Sequence, residues 1–501
     1  MAADPTKTAR YTEMERKFEV VEGTVAPSFD GLSAVARVER GPSQSLDAVY
    51  FDTAHRDLAR HRITMRRRTG GTDEGWHVKL PAGTDTRTEV RAPLTGGDSS
   101  EIPAGIRDVV LAIVRDSPLS PVARISTRRT VEVLYDADGE QIAEFCDDEV
   151  TAAPEGGDEQ RWREWELELV PGADVEMFDR LTNRLLDAGA QPAGHGSKLG
   201  RVMGPVATPE KSSAATDPLH QAVADLVAEL LEWDRAVRAD AHDAVHQMRV
   251  TVRKIRSLLQ SAEGAFAGAD DWVLDELREL GAVLGVARDA EVLAERYEDA
   301  LDALPADQVR GPVHQRLVEG AQKRYQTGWK RSLAAMRSPR YFRLLDALES
   351  LTSGDQSESA PESSTGERID VAYTRVRKAA KKARKAAKDP ESDADEALHR
   401  IRKRAKRLRY TAAATGKDKV AERAKAVQSL LGDHQDSVVS RAHLLRVAEL
   451  AHAAGEDTFT YGVLYQREIE TAQRCEEQLD DALKALDKAA AKAIAKAKKG
   501  G

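Results

Sequence analysis

The chain has 501 residues, 41% hydrophobic, 32% charged and 5% aromatic, and 75 basic against 84 acidic side chains leave a net charge of −9. Such a length predicts at least two domains, each able to bury its own core. No run reaches the ~18 apolar residues of a membrane span, and the opening Met1-Ala-Ala-Asp-Pro has no secretory pattern. Cys146 and Cys475 are too few for a disulfide framework. A cytoplasmic protein with no membrane partner is expected.

In chain order, residues 1–204 read as short runs of alternating polarity, at 13–20, 63–68, 75–80, 130–135 and 162–169. Period two between turn signals predicts antiparallel strands. Two helical stretches interrupt them, at about 104–115 and 174–188. A turn-rich linker follows at 205–217. Residues 218–495 are rich in Ala, Leu, Glu, Arg and Lys, with apolar residues three and four apart, which predicts helix throughout. A Ser-rich acidic linker at 352–367 splits that region into halves of about 218–351 and 368–495. The expected fold is an α+β domain joined to an all-α one.

The charge is segregated. Residues 1–210 carry −11, 211–367 carry −8 and 368–501 carry +10, with 16 basic against 6 acidic residues in 368–410 alone. A block of that kind contacts a polyanion or is a solvated face.

Along the strands, charged residues recur at two-residue spacing: Glu13, Glu15 and Lys17; Arg66 and Arg68; Glu89 and Arg91; Glu164, Glu166 and Glu168. Each set therefore projects from one strand face. Any single strand could simply be solvated on that face. A closed barrel with these residues inside would hold a divalent cation on carboxylate oxygens and phosphate oxygens on Arg and Lys.

Glu13-x-Glu15-x-Lys17 resembles the ExExK signature of the CYTH family of triphosphate tunnel enzymes. The later landmarks are similar in order: Tyr50-Phe-Asp-Thr with Leu58, Arg66 and Arg68, Trp76-His-Val-Lys79, Glu89-x-Arg91, Arg128-Arg129, Cys146-Asp-Asp-Glu149, the Glu164 strand, and Ser197-Lys198 with Arg201. The resemblance covers residues 10–204. It implies an eight-stranded antiparallel β-tunnel that binds or hydrolyses inorganic triphosphate or another triphosphate with Mg²⁺ or Mn²⁺. Lys17, Arg66, Arg68, Lys79, Arg91, Arg129 and Lys198 would contact phosphate, and Glu13, Glu15, Asp147, Glu166 and Glu168 would hold metal or orient the attacking water. Glu13, Glu15 and Lys17 would form the catalytic group. Asp148 and Glu149 compete with Asp147 for the inward position, as Arg128 does with Arg129. Tyr50 and Trp76 are expected to serve packing.

The helical region contains a repeat. His246-x₂-Arg249-x₃-Arg253-x₂-Arg256 returns as His399-x₂-Arg402-x₃-Lys406-x₂-Arg409, and each copy is followed by Leu-Gly-x-x-x-Asp, ending at Asp289 and at Asp436. At 100° per residue those four offsets fall within an arc of about 80°, so each helix would present one basic stripe. A single stripe is usually solvated. Two in matching register would form a groove for a linear polyanion, and the scarcity of aromatics disfavours nucleic acid.

These residues resemble the CHAD family over about residues 218–495. The resemblance implies two pseudo-symmetric four-helix bundles that bind inorganic polyphosphate. The binding candidates are His246, Arg249, Arg253, Lys254, Arg256 and Arg288 in the first copy, and His399, Arg402, Lys403, Lys406, Arg407, Arg409 and His434 in the second. Asp289 and Asp436 would orient those cations. The expected function is therefore metal-dependent triphosphate hydrolysis with polyphosphate binding. The alternative is a non-catalytic polyphosphate-binding or granule-associated protein.

Overall fold

The computed structural model describes residues 8–83, 85–94, 101–170, 172–206, 218–261, 271–353, 369–387, 389, 393–414 and 416–499. Most of both expected linkers, 205–217 and 352–367, lies outside the described residues. Two compact units divide the chain: Met1–Thr251 with Ala335–Gly354, and Val252–Ala334 with Asp355–Gly501.

In the first unit, the alternating runs form β1 (Ala9–Val20), β2 (Arg37–Arg40), β3 (Gln44–Asp52), β4 (Thr64–Thr69), β5 (Gly75–Pro81), β6 (Thr86–Ala92), β7 (Ser120–Tyr135), β8 (Gln141–Pro154), β9 (Gln160–Leu169) and β10 (Gln191–Pro192). Eight of them pair antiparallel in the order β1-β6-β5-β4-β3-β7-β8-β9, and β9 pairs back onto β1. The sheet is thus a closed eight-stranded barrel, with β2 added on β7 and β10 on β1. Closure removes the exposed strand edges.

Four helices accompany the strands: α1 (Asp57–Arg60), α2 (Ala104–Val114), α3 (Val175–Asp187) and α4 (Lys198–Met203). Within the Tyr50-Phe-Asp-Thr landmark Asp52 is structural: it accepts the main-chain N–H groups of Thr53 at 2.7 Å, Leu58 at 2.9 Å and Ala59 at 3.1 Å, capping α1. On the outer face Phe18, Phe145, Trp165 and Leu167 pack against Phe178, Leu181 and Leu185 of α3. Burial of that apolar face obliges the alternate residues of the same strands to point into the barrel, so Glu164, Glu166 and Glu168 turn inward while Trp165 and Leu167 turn outward.

The first unit continues with α5 (Pro218–Arg238), the start of α6 (Ala244–Ser261) and, from later in the chain, α9 (Pro339–Ser353). Helix α2 packs against β5, β6 and α5, and α5 packs against α9. Charge reinforces these contacts: Arg115 pairs with Asp346 and Glu349, and Asp108 with Arg337. Beneath them Arg238 is buried, donating to Asp234 at 2.6 Å and to the Met336 carbonyl at 2.8 Å, while the Tyr341 hydroxyl donates to Asp234 at 2.8 Å.

The second unit holds the rest of α6, α7 (Asp271–Asp302), α8 (Gly320–Met336, up to Ala334), α10 (Ile369–Ala386), α11 (Ala394–Ala414), α12 (Asp418–Ala453) and α13 (Phe459–Lys499). Helices α10 to α13 form a four-helix bundle around Val376, Ile401, Leu408, Val427, Leu431, Leu483 and Leu486. A second core joins α7 to α12 and α13 through Tyr297, Leu301, Leu444, Val447, Tyr461 and Leu464. The α7–α8 crossing is close enough that a Cβ on Gly328 would come within 2.8 Å of the Ala287 nitrogen. Among the described residues no helix is long and apolar enough to cross a membrane.

Candidate functional site

A cavity of about 560 Å³ is lined by residues of β1, β3 to β9 and α4. Its charged lining comprises Lys17, Arg66, Arg68, Lys79, Arg87, Arg91, Arg129 and Lys198 opposite Glu13, Glu15, Asp73, Glu144, Glu166 and Glu168. All seven sequence-predicted phosphate contacts lie in this wall. Of the five predicted metal carboxylates, Glu13, Glu15, Glu166 and Glu168 do as well.

Asp147 does not. It faces outward and takes a bidentate pair from Arg163, at 2.8 and 2.6 Å. Strand parity is the reason: in β8 the residues 145 and 147 share the outer face with Phe145, and 146 and 148 turn inward. Asp148 is the buried inward residue, accepting Arg129 at 2.8 and 2.6 Å and the Lys198 ammonium at 2.8 Å. The same parity places Arg129 inside and Arg128 outside, where it pairs with Glu149.

Adjacent pairing of β1 with β9 puts Lys17 opposite Glu166 and Glu15 opposite Glu168. Lys17 donates to both Glu15, at 3.1 Å, and Glu166. Lys198 sits among Asp148, Glu164 and Glu166, 2.7–2.8 Å from each. Burial alone would raise these carboxylates, but the cations win. Lys17 and Lys79 hold Glu15 down at about 2, and Lys17, Lys198 and Arg129 hold Glu166 well below the usual range. Glu13 behaves oppositely. Burial pushes it up to about 7 against the pull of Lys79, with Glu89 beside it adding to the rise.

Ligand oxygens of Glu15, Glu166 and Glu168 lie within 4.8 Å of one another. An all-carboxylate donor set of this kind suits a hard divalent cation. Asp148, Glu164 and Glu166 form a second such group, already filled by the ammonium of Lys198. Glu13 stands apart from both, paired with Lys79 at 2.6 Å and Arg91 at 3.0 Å.

Several residues of the wall go beyond the predicted set. Arg87 extends the Glu89–Arg91 alternation one step back and reaches Glu15 at 3.3 Å. Glu89 is fully buried and accepts from Arg91. His77 has an acceptor beside each ring nitrogen, Glu89 at 2.9 Å and the Asp73 carbonyl at 2.9 Å, and burial lowers it to about 4 despite the neighbouring Glu89. Tyr50 lines the cavity and accepts from Arg66 at 3.4 Å, whereas Trp76 is a packing residue against Phe51. Parity was the available signal for Arg87; for Tyr50 and His77 none separated a lining residue from a packing one.

In the helical repeat, His246, Arg249, Arg253 and Arg256 are half-buried along α6, as are His399, Arg402, Lys406 and Arg409 along α11. Lys254, Lys403 and Arg407 are exposed. In α6 the buried face is Val245, Met248, Val252, Ile255 and Leu259, and in α11 it is Ile401, Ala405, Leu408 and Ala412. Each stripe therefore runs along the flank of a packed helix. Arg409 donates to Gln428 at 3.1 Å. Asp436 lies in the field of Arg402 and Arg296, although burial raises it overall. Two candidates are placed differently from the expectation. His434 is buried, 3.1 Å from Glu476, because its position on α12 is on the packed face. Arg288 pairs with Glu291 at 2.8 Å one turn along its own helix.

A CYTH domain model matches residues 12–185 and a CHAD domain model residues 221–445. Uncharacterized protein MT2285 of Mycobacterium tuberculosis (strain CDC 1551 / Oshkosh) is 60% identical over 513 residues, covering 98% of this chain and all of the relative. Uncharacterized protein Rv2226 of strain ATCC 25618 / H37Rv matches equally. Among solved structures, the CHAD domain from the plant Ricinus communis is 25% identical with a TM-score of 0.35, covering 54% of this chain and 91% of that one. A putative adenylate cyclase from Bacillus halodurans is 17% identical with a TM-score of 0.28, covering 39% and 99%. With its charged barrel matching one family and its duplicated basic helices the other, the chain belongs to the proteins in which a CYTH domain is followed by a CHAD domain.

Proposed function

We propose that the barrel is a metal-dependent triphosphatase, with inorganic triphosphate or a related triphosphate as substrate, and that the helical region binds inorganic polyphosphate. In functional terms the two parts would be residues 1–204 and 218–495. The observation that carries the reading is the cavity wall itself: eight cationic and six anionic side chains line one cavity, with Glu15, Glu166 and Glu168 grouped on its β1–β9 side. A row of guanidinium and ammonium groups fits a condensed phosphate, whose charge is spread over many oxygens.

Glu15, Glu166 and Glu168 would hold Mg²⁺ or Mn²⁺, and the bound metal would neutralise phosphate charge and polarise the bridging bond. Arg66, Arg68, Arg91 and Arg129 would seat the phosphoryl oxygens and stabilise charge in the transition state. Lys17 and Lys79 would keep Glu15 ionised, and Glu13 would be the carboxyl poised to exchange a proton near neutral pH. In the helical region the flanking stripes on α6 and α11 would contact successive phosphates, so affinity would fall with salt.

Phosphate release from tripolyphosphate, ATP and thiamine triphosphate with Mg²⁺ or Mn²⁺ tests the enzyme reading, with Glu15→Ala as control. No release above that control leaves the non-catalytic alternative, a polyphosphate-binding or granule-associated protein in the cytoplasm. One feature favours that alternative: Lys17 and Lys198 already compensate the carboxylates.

A further inference from the structure

The segment between β4 and β5 is folded back onto the barrel mouth. Gly70 and Gly71 both have left-handed backbones, φ 81° and 78°. A Cβ on Gly70 would lie 2.2 Å from the Ser45 carbonyl oxygen, and one on Gly71 would lie 2.7 Å from the Leu46 side chain. The turn is therefore pressed on β3 in a way only glycine permits. This delivers Thr72 and Asp73 to the cavity wall. The Asp73 carbonyl lies 2.9 Å from His77 Nε2, and His77 Nδ1 lies 2.9 Å from Glu89, so the ring packs between the turn and β6. With its main chain held, the Asp73 carboxylate pairs with Arg68 and lies 3.8 Å from Arg91.

Arg68 and Arg91 are two of the guanidinium groups that would seat phosphate. Arg68 is almost wholly enclosed, with 7% of its side chain exposed, whereas Asp73 keeps 32%. The anion on these cations is thus the more exposed partner, and its side chain can rotate towards solvent while the turn's main chain and Arg68 stay in place.

We infer that Asp73 is a built-in competitor: its carboxylate occupies the seat of a phosphoryl group on Arg68 and Arg91, and an incoming ligand must displace it. The inference rests on the proposal that the tunnel binds triphosphates. An intramolecular carboxylate is present at high effective concentration, so a singly seated anion such as orthophosphate competes poorly. A chain of phosphates recovers the loss through its remaining contacts on Arg66, Arg129 and Lys79. Asp73 is thereby a specificity-determining residue that favours condensed phosphates over monophosphate, and His77 is the positioning residue that holds it.

The test is calorimetric titration of the full chain with tripolyphosphate and with orthophosphate, without divalent metal so that no turnover intervenes. Wild type is compared with Asp73→Asn, Asp73→Ser and Glu144→Gln, the last removing one charge from another part of the wall. Removing the competitor should tighten orthophosphate binding on the order of tenfold and tripolyphosphate less, narrowing the preference in both Asp73 variants. Glu144→Gln should leave the preference unchanged. If wild type binds tripolyphosphate and neither Asp73 variant alters the preference, the inference falls and the tunnel reading stands. An equal narrowing in Glu144→Gln also overturns it, since a general field effect would then suffice. Absence of tripolyphosphate binding in every variant overturns the tunnel reading and the inference together.

Discussion

The guanidinium of Arg402 lies against Gly432 of the neighbouring helix, where a Cβ would come to 3.4 Å from its Nη2 and 3.7 Å from its Cζ. A Cβ at that distance would be in ordinary van der Waals contact, so alanine fits and only a larger side chain would crowd the guanidinium. Asp436 four residues on supplies an opposing charge. Gly432→Leu should push Arg402 aside and weaken polyphosphate binding several-fold with little change in helix content. Gly432→Ala should have a much smaller effect. Titration with a polyphosphate of defined length, alongside circular dichroism, checks both; unchanged affinity in the leucine variant would separate Arg402 from the binding surface.

Gly328 is constrained by backbone rather than by a side chain. A Cβ there would lie 2.8 Å from the Ala287 nitrogen and 2.9 Å from its Cα. Gly328→Val should cost about 1–3 kcal/mol of stability through overpacking. Ala should cost less, because its helix propensity returns about 1 kcal/mol. Urea denaturation of the two variants provides the measurement, and a neutral valine would mean that α7 and α8 can separate freely.

Asp234 is the partner of a buried cation. With Asp234 fully buried and Arg238 almost so, Asp234→Ala strands the guanidinium and the Tyr341 hydroxyl together. A loss of about 3–5 kcal/mol is expected. The double variant Asp234→Ala with Arg238→Met should be less destabilised than the single one. Thermal and chemical melts of the full chain decide this, and additive losses would refute the coupling.

His443 predicts an acid-sensitive component of stability. Its Nδ1 is 3.1 Å from the Tyr297 hydroxyl, and burial, with Arg324 and Arg446 nearby, lowers it from 6.5 to about 4. Between those values the unfolded chain binds the additional proton, so stability falls as pH drops from 6.5 towards 4 and is fully present above 6.5. The component is about 3 kcal/mol. In His443→Gln the slope of stability against pH across that window should be shallower; an unchanged slope would assign it to other groups.

The metal group and the excluded aspartate make opposite predictions. Glu166→Gln should abolish Mn²⁺ binding to the barrel, measured by electron paramagnetic resonance or calorimetry in the absence of substrate. Asp147→Asn should leave it intact, since Asp147 is engaged by Arg163 on the outer face. Loss of Mn²⁺ in Asp147→Asn would require the opposite parity for β8.

Much of this was legible from spacing. Glu13, Glu15 and Lys17 share a strand face in sequence and in structure because period two is fixed by covalent geometry. The duplicated stripe survived for the same reason, with 3.6 residues per turn in place of two. What spacing could not convey was which parity faces inward. In β8 every candidate was acidic, and only the register, with Arg129 opposite Asp148 and Arg163 opposite Glu149, separates the inner from the outer carboxylate. His434 shows the same limit on a helix: its sequence neighbours are polar, yet its position belongs to the packed face. Asp73 lay beyond any periodicity, because a turn with two left-handed glycines has none.

The pairing of β1 with β9 has a consequence for how the protein is made. Lys17 and Glu166 are separated by 149 residues, and Lys198 comes later still. On the ribosome Glu13, Glu15 and Lys17 emerge before their partners on β9 and α4 and stay without them until those segments have been translated. No shorter intermediate can contain the cation-and-carboxylate wall, so a chain released early carries a strongly charged strand with no cavity to line. Assembly of the site therefore depends on ring closure, a contact between segments far apart in sequence, of the kind that slows folding.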